Sequence, residues 1–530
     1  TVHASVDSSP VEFADAEGTW QRGSGVQTDV LVVGAGPTGL MLATELGLAG
    51  VAPVVIDALP APSGQAKGGA VQPRTAEVFD LRGMMDLLLD RALPHEPVGG
   101  HFGGLPVALD YRPWSTRYPY VTPIPQGRIE QLLTERLTDY DISVRRGHEL
   151  TALHLDDDGV TATVRDQVNS TDLDIRTRYL AACDGGHSTV RKLRRVPFPG
   201  QAGTMAAVLA DVRLTSVSDL VPTSISQFAA MVRDGGGYWS MLNPLEGDLY
   251  RLVFGPLEAT TADQRRDRPV EADEIRHALQ AVWGPDTALG DFSWASRFSD
   301  ATRQVEHYRA GRVLFAGDAA HIHSPLGGQG LNLGIQDAFN LGWKLAAHIQ
   351  RRAPAGLHDS YHTERHPVAA RVLHHTRAQR VLADRRPTDD VAALRDIVID
   401  LARLPDTNRY LAGMMSGLDV RYPMPGRGDH PLLGARMPDI DLIIDGVATR
   451  LSALMHTGRS LLLDLTGDDH LADALDGRDS RIDLRRATTT TNLDVTAVLL
   501  RPDGHICWLT SATQRREPSN SLRAAIEYWV

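Results

Sequence analysis

The run Gly34-Ala35-Gly36-Pro37-Thr38-Gly39, with the carboxylate of Asp57 about 20 residues further on, is the first combination of residue types with an evident chemistry. Glycines at these spacings permit a tight turn, let the backbone approach a pyrophosphate, and expose the N–H groups of a following helix to an anion. Asp57 is placed to accept hydrogen bonds from a ribose hydroxyl. This is dinucleotide chemistry, and NAD and FAD satisfy it equally. An ordinary glycine turn uses the same residues, but the strand ahead and the helix behind favour binding.

Two aspartates form further combinations, as Asp184-Gly185 in CDGGHSTVRKL and as Gly317-Asp318 in GDAAH. The second is followed by Ser324-Pro325-Leu326-Gly327-Gly328-Gln329-Gly330-Leu331-Asn332. Taken singly, each aspartate reads as a cap or turn residue. His321 and His323 lie two apart on a glycine-bounded loop with no third ligand in view, so no metal site is expected.

Elements must position these residues. The apolar runs Val30–Val33 and Val54–Ile56, with the helix-length segment Leu40–Leu48 between them, predict a βαβ unit. Strands are predicted at Tyr179–Cys183 and Val313–Ala316, just ahead of the aspartates, and at Val160–Val164 and Tyr250–Phe254. Leu331, Leu333, Ile335, Ala338, Leu341, Leu345 and Ile349 follow helical spacing, and helices continue to about Leu411. The segment Tyr422–Pro431, rich in Pro and Gly, reads as a linker, and Leu461–Leu465 and Ala497–Leu500 as strands beyond it.

Bulk properties narrow the function classes. A chain of 530 residues exceeds what one core of ~250 to 300 residues supports, so two or three domains are expected. The net charge is -12 and the basic residues are dispersed, which argues against nucleic acid or an anionic membrane as partner. Cys183 and Cys507 stand far apart, so neither a disulfide framework nor a zinc site is expected, in keeping with a reducing cytoplasm. The segment 1–26 is polar, without the basic start and apolar run of a secretory signal, and no apolar stretch approaches ~18 residues. The reading is a cytoplasmic protein that takes a small organic molecule; self-association is left open.

The three motifs in this order resemble those of class A single-component FAD-dependent aromatic hydroxylases. The segments GHFGGLP, ATRQVEHYRAGRV, AHIHSPLGGQGLNLGIQDAFNLGWKL, HPLLGARMPD and RPDGHICW are similar to the aromatic-polyketide hydroxylases of actinomycetes, the angucycline, anthracycline and tetracycline tailoring enzymes. The likeness runs from about Asp29 to the C-terminus. It implies an α/β fold with a Rossmann-like, para-hydroxybenzoate-hydroxylase-like FAD domain, a β-sheet substrate domain and a thioredoxin-like C-terminal domain. The expected boundaries are an extension over 1–26, the FAD domain over 27–200 and again, with helices, over 297–420, the middle sheet over 201–296, and the C-terminal domain over 421–530. Cys507 stands alone, so that last domain has no redox motif.

The resemblance further implies that NADPH or NADH reduces FAD, that O2 is activated there, and that one oxygen atom reaches an electron-rich ring of a polyketide. Asp184 and Asp318 are expected to accept hydrogen bonds, Asp318 from the ribityl chain. Gly327, Gly328 and Gly330 are expected to bring backbone close to the isoalloxazine, with the helix from Leu331 aiming its positive end at the reduced ring. Gln126 matches a position that contacts the flavin, and Arg74 and Arg128 are expected to approach the pyrophosphate or to form surface ion pairs. Tyr238 and Trp239 are candidates to face the substrate, though strand aromatics are more often core. No catalytic base is nominated. The family's Ser-Arg-Gly is here Gln65-Ala66-Lys67-Gly68-Gly69, and Lys67 cannot reproduce arginine's planar fork. Baeyer-Villiger oxygenation of a ketone, which the same cofactor motifs serve, stays open as an alternative that the Lys67 departure slightly favours, with a non-catalytic flavin-binding sensor as a remote one.

Overall fold

A strand that is apolar at every position must be covered on both faces, and Val30, Leu31, Val32 and Val33 are all buried. They end the strand Val26–Val33, the centre of a sheet in a computed structural model that describes residues 26–65, 68–94, 97, 99–258, 268–424, 430–467, 469–475, 481–511 and 518–530. The N-terminal extension and Lys67 lie outside the described residues.

The sheet has eight strands. Across it run Arg309–Ala310, Val313–Phe315, Thr171–Ala182, Val26–Val33, Val54–Asp57 and Val144–Arg146, while the hairpin His148–Leu155 and Val160–Asp166 joins the outer half of Thr171–Ala182. The four central pairings are parallel. Strand ends carrying Val33, Ala182 and Phe315 therefore lie side by side, and the glycine turn, Asp184 and Gly317 leave from one edge. That edge is where doubly wound sheets bind ligands.

Helix Pro37–Leu48 starts three residues before the predicted Leu40, because proline suits the first helical position. It packs on Gly330–Ile349 so closely that a Cβ at Gly342 would strike the Glu45 side chain. The strand Thr171–Ala182 is longer than the predicted Tyr179–Cys183, since its polar half pairs in the hairpin rather than in the core. Helices continue through Ser360–Leu382 and Asp389–Ala402 to Pro405–Ser416, past the predicted Leu411.

The middle unit is a five-stranded sheet ordered Val232–Gly235, Tyr238–Glu246, Leu249–Pro256, Ala206–Ser216 and Ala288–Ser299, with helix Ala272–Trp283 against one face. The C-terminal unit has a four-stranded mixed sheet, Ile482–Arg486, Ser460–Asp464, Ala497–Leu500 and Ile506–Thr510, and helix Pro518–Trp529. Cys507 is fully buried in its core, as a small apolar residue would be.

Candidate functional site

The glycine turn is shaped by contacts that only glycine tolerates. Gly34 has φ +102°, and a Cβ there would collide with the Cys183 carbonyl; one at Gly39 would strike the carbonyl of Gly34. Before Gly36 there is open space, with nothing within 4 Å of its Cβ position. Thr38 Oγ1 lies 2.6 Å from the Cβ position of Gly317, so the first turn and the Gly317-Asp318 motif interlock. Asp57 accepts the N–H groups of Ala35 at 2.8 Å and Leu59 at 2.9 Å, with Arg146 Nη1 3.5 Å away.

Asp184 uses Oδ2 to accept the Val190 N–H at 3.0 Å, whereas its Oδ1 is buried with no partner among the described residues. Burial pushes the carboxyl up, partly offset by hydrogen bonds from Ser188 and Val190. Gly185 has φ +80°. Arg191 donates to the carbonyls of Gly186 at 2.6 Å and Ala319 at 3.0 Å, tying the two aspartate motifs together. Asp318 is exposed, its Oδ1 4.0 Å from the Cβ position of Gly330 at the start of the long helix. Behind it, Asp337 accepts from Gly317 N–H at 3.2 Å and Arg365 Nε at 2.7 Å, and pairs with His321 Nε2 at 2.6 Å. Burial pushes the Asp337 carboxyl up, but Arg365 and His321 hold it below its usual range. His321 is thus a strut of the turn, and no metal-holding group occurs among the described residues.

The loop from Pro325 is pinned from both sides. Gly327 and Gly328 have φ +81° and +61°, Pro325 and Gly328 are exposed, and nothing lies within 4 Å of the Gly328 Cβ position. Asn332 Oδ1 accepts the Gln72 N–H at 2.8 Å; Nδ2 donates to the carbonyls of Gly328 at 2.8 Å and Ala70 at 3.1 Å. Leu331 packs 2.7 Å from the Cβ position of Gly68, whose N–H donates to Gln126 Oε1 at 2.9 Å. Asn332 and Gln126 accordingly hold the turns that bound the site.

Two imidazoles stand beside this loop, His323 and His375, and His375 was missed from sequence. Gly103 N–H donates to Gln379 Oε1 at 3.0 Å, so the Gln379 amide nitrogen donates to His375 Nδ1 at 3.0 Å and the His375 proton sits on Nε2. His323 Nδ1 lies 2.7 Å from the Ser324 carbonyl, which can only accept, so its Nε2 is bare. Burial pushes the two rings down to about 3 and about 4 respectively, which keeps both neutral. His375, on a helix far from the loop in sequence, left no local signal.

Arg251 Nη1 lies 3.4 Å from the Gly69 Cβ position, where the Gly68-Gly69 turn meets the face of the middle sheet away from its helix. Strand alternation puts Trp239, Met241 and Asn243 on it, while Tyr238 lies with Ser240 and Leu242 on the helix side, its ring 6.1 Å from Phe254 in that core. Tyr238 is corrected from substrate-facing to core. Arg74 is also corrected: its buried guanidinium is committed to Glu77 Oε2 at 3.0 Å and the Asp503 carbonyl at 2.9 Å, because the C-terminal unit packs there. Arg128 takes the ion-pair alternative, donating to Glu246 at 2.9 Å.

Residues 27–376 match the family described as FAD binding domain, and residues 430–530 match aromatic-ring hydroxylase, C-terminal. The chain belongs to the FAD-binding domain family. It is an FAD-dependent monooxygenase of the class A aromatic-hydroxylase type. Over 510 residues, 94% of this chain and 98% of the relative, it is 44% identical to a 12-dehydrotetracycline 5-monooxygenase/anhydrotetracycline 6-monooxygenase of Streptomyces rimosus. A solved anhydrotetracycline hydroxylase from the same species superposes with TM-score 0.85 at 43% identity, over 95% of this chain and 99% of that one. An aromatic hydroxylase from angucycline biosynthesis gives TM-score 0.83 at 38% identity, over 95% and 99% of the two chains. FAD fits the residues present: the space before Gly36 and Gly328 and the unpartnered Asp184 oxygen are what a phosphate-bearing, hydroxyl-bearing group requires.

Proposed function

We propose that this enzyme hydroxylates a polycyclic aromatic polyketide in antibiotic biosynthesis, with NADPH or NADH as reductant and O2 as oxygen source. What carries the reading is a sheet face whose Arg251 reaches the Gly68-Gly69 turn, itself packed on Leu331, in a chain 44% identical to a 12-dehydrotetracycline 5-monooxygenase/anhydrotetracycline 6-monooxygenase. When bound, FAD supplies hydride acceptance and oxygen activation.

The chain's own residues bind, orient and exclude water. Gly34, Gly36, Pro37, Thr38 and Gly39 receive the pyrophosphate at the N-terminus of Pro37–Leu48, and Asp57 the ribose. Asp184, with Gly185 and Gly317 shaping the turns, and Asp318 accept hydroxyl hydrogen bonds. Pro325, Gly327, Gly328, Gly330 and Leu331 would hold the ring, near the positive end of Gly330–Ile349, and Asn332 and Gln126 fix those turns. The middle sheet keeps water from the reacting atoms and holds the aromatic plane.

The test is anaerobic reduction of the purified holoenzyme by NADPH, with and without anhydrotetracycline, followed by oxygen. Acceleration of flavin bleaching by the ligand and a product one oxygen heavier are expected. Reduction indifferent to every polycyclic phenol tried would overturn the substrate class, and a lactone product would replace hydroxylation by Baeyer-Villiger chemistry.

A further inference from the structure

One row on the open face of the middle sheet carries buried charge. Strand register sets Asn243 opposite Arg251, Arg251 opposite Asp211, and Asp211 opposite Trp294, so these four side chains share a face across four strands. The adjacent row brings Met241, Val253 and Leu209 into register. Buried polar groups are costly unless they are answered.

Within the row the bonding is nearly closed. Asp211 accepts from Arg251 Nε at 2.9 Å and Nη2 at 3.0 Å, and from Trp294 Nε1 at 2.9 Å. Arg251 is 7% exposed and Asp211 6%, so the fork is locked in one plane rather than solvated. What remains is Arg251 Nη1, 3.4 Å from the Cβ position of Gly69, whose neighbour Gly68 packs on Leu331. The Asn243 carboxamide oxygen is buried and has no partner among the described residues. One charged donor and one neutral acceptor thus stand where the sheet meets the turns of the flavin site.

We propose that this row seats the oxygen-bearing edge of the aromatic substrate: Arg251 Nη1 donates to a phenolic or carbonyl oxygen, and Asn243 accepts a phenolic proton. The assignment rests on the hydroxylase reading above and adds the recognition element to it. A phenol engages both groups, an aryl ether only Arg251, and a bare aromatic hydrocarbon neither. Trp239 and Met241, further along the same face, cover the apolar part of the plane.

Dissociation constants of 1-naphthol, 1-methoxynaphthalene and naphthalene, read from the absorbance change of the bound flavin in the holoenzyme, test this. Wild type should bind them in that order, each step roughly tenfold, the size of one hydrogen bond to a buried charged or polar group. Asn243→Leu, which strands no partner, should bring the phenol level with the ether. Arg251→Lys, which keeps a charge beside Asp211 but loses the fork, should bring the ether level with the hydrocarbon. No preference in wild type, or an order that survives both variants, overturns the proposal. So does an Arg251→Lys enzyme that loses FAD affinity while keeping the order, because Nη1 would then serve a flavin oxygen. Binding requires no turnover, so failure to incorporate oxygen would remove the hydroxylase reading while leaving this result distinct.

Discussion

At the scale of single residues, the site depends on a few atoms whose partners come from different motifs. Asp184 is the clearest case, with one carboxylate oxygen spent on Val190 and the other buried without a partner among the described residues. Asp184→Ala should weaken FAD binding by roughly 10- to 100-fold, the loss of about 1.5 to 3 kcal/mol for a hydrogen bond to a charged group. Flavin fluorescence on titrating the apoprotein measures it, and an unchanged affinity would return Asp184 to a cap of the short helix Thr189–Leu193. Residue identities were legible in sequence wherever glycine or aspartate punctuated a strand end, as at Gly34, Asp57 and Gly317. Arg251 and Asp211 were not, because an ion pair between strands leaves no spacing to read. Arg74 misled for the complementary reason: a buried arginine facing another unit has the same local sequence as one facing a phosphate.

Among elements, the long helix Gly330–Ile349 does three jobs at once. Its first turn faces the Asp318 side chain, Asn332 staples two loops, and Asp337 on its buried face holds Gly317 and His321. Asn332→Ala would leave the Gln72 N–H and the carbonyls of Ala70 and Gly328 short of a partner, a cost of about 1 to 3 kcal/mol. The expected outcome is a folded flavoprotein in which more of the NADPH consumed ends as hydrogen peroxide, measured as product formed per NADPH. Coupling equal to wild type would mean that Gln72 and Gly327 hold the loop without it. The helix itself was readable from its apolar period. Which face of the middle sheet meets the site was not, since alternation alone gives two faces and only the covering helix Ala272–Trp283 decides between them.

For the whole molecule, buried charge fastens the C-terminal unit to the FAD domain. Arg501 donates to Glu364 at 2.6 and 2.8 Å and to Asp503, and Lys344 reaches Glu364 at 2.7 Å. Burial pushes the Glu364 carboxyl up, but Arg501 and Lys344 outweigh it and hold it at about 2, below the ordinary 4.5. A depressed carboxylate contributes stability that is complete above its unfolded pKa and is lost as pH falls through the folded value. Thermal stability should therefore decline between pH 4.5 and about 2 in part through this pair. Arg501→Met, leaving two buried carboxylates short of their cation, should cost about 3 to 5 kcal/mol at neutral pH and flatten that acid limb. Melting curves over the pH series check both; an Arg501→Met protein as stable as wild type would mean the seam is held by its apolar core.

Transfer of one atom of O2 onto an aromatic polyketide is read from the product mass after turnover of anhydrotetracycline with NADPH under 18O2. One heavy oxygen is expected in the organic product, on a ring carbon, and the other in water. A product carrying oxygen from solvent water, or a ligand converted without gaining oxygen while the flavin cycles unused, would contradict it.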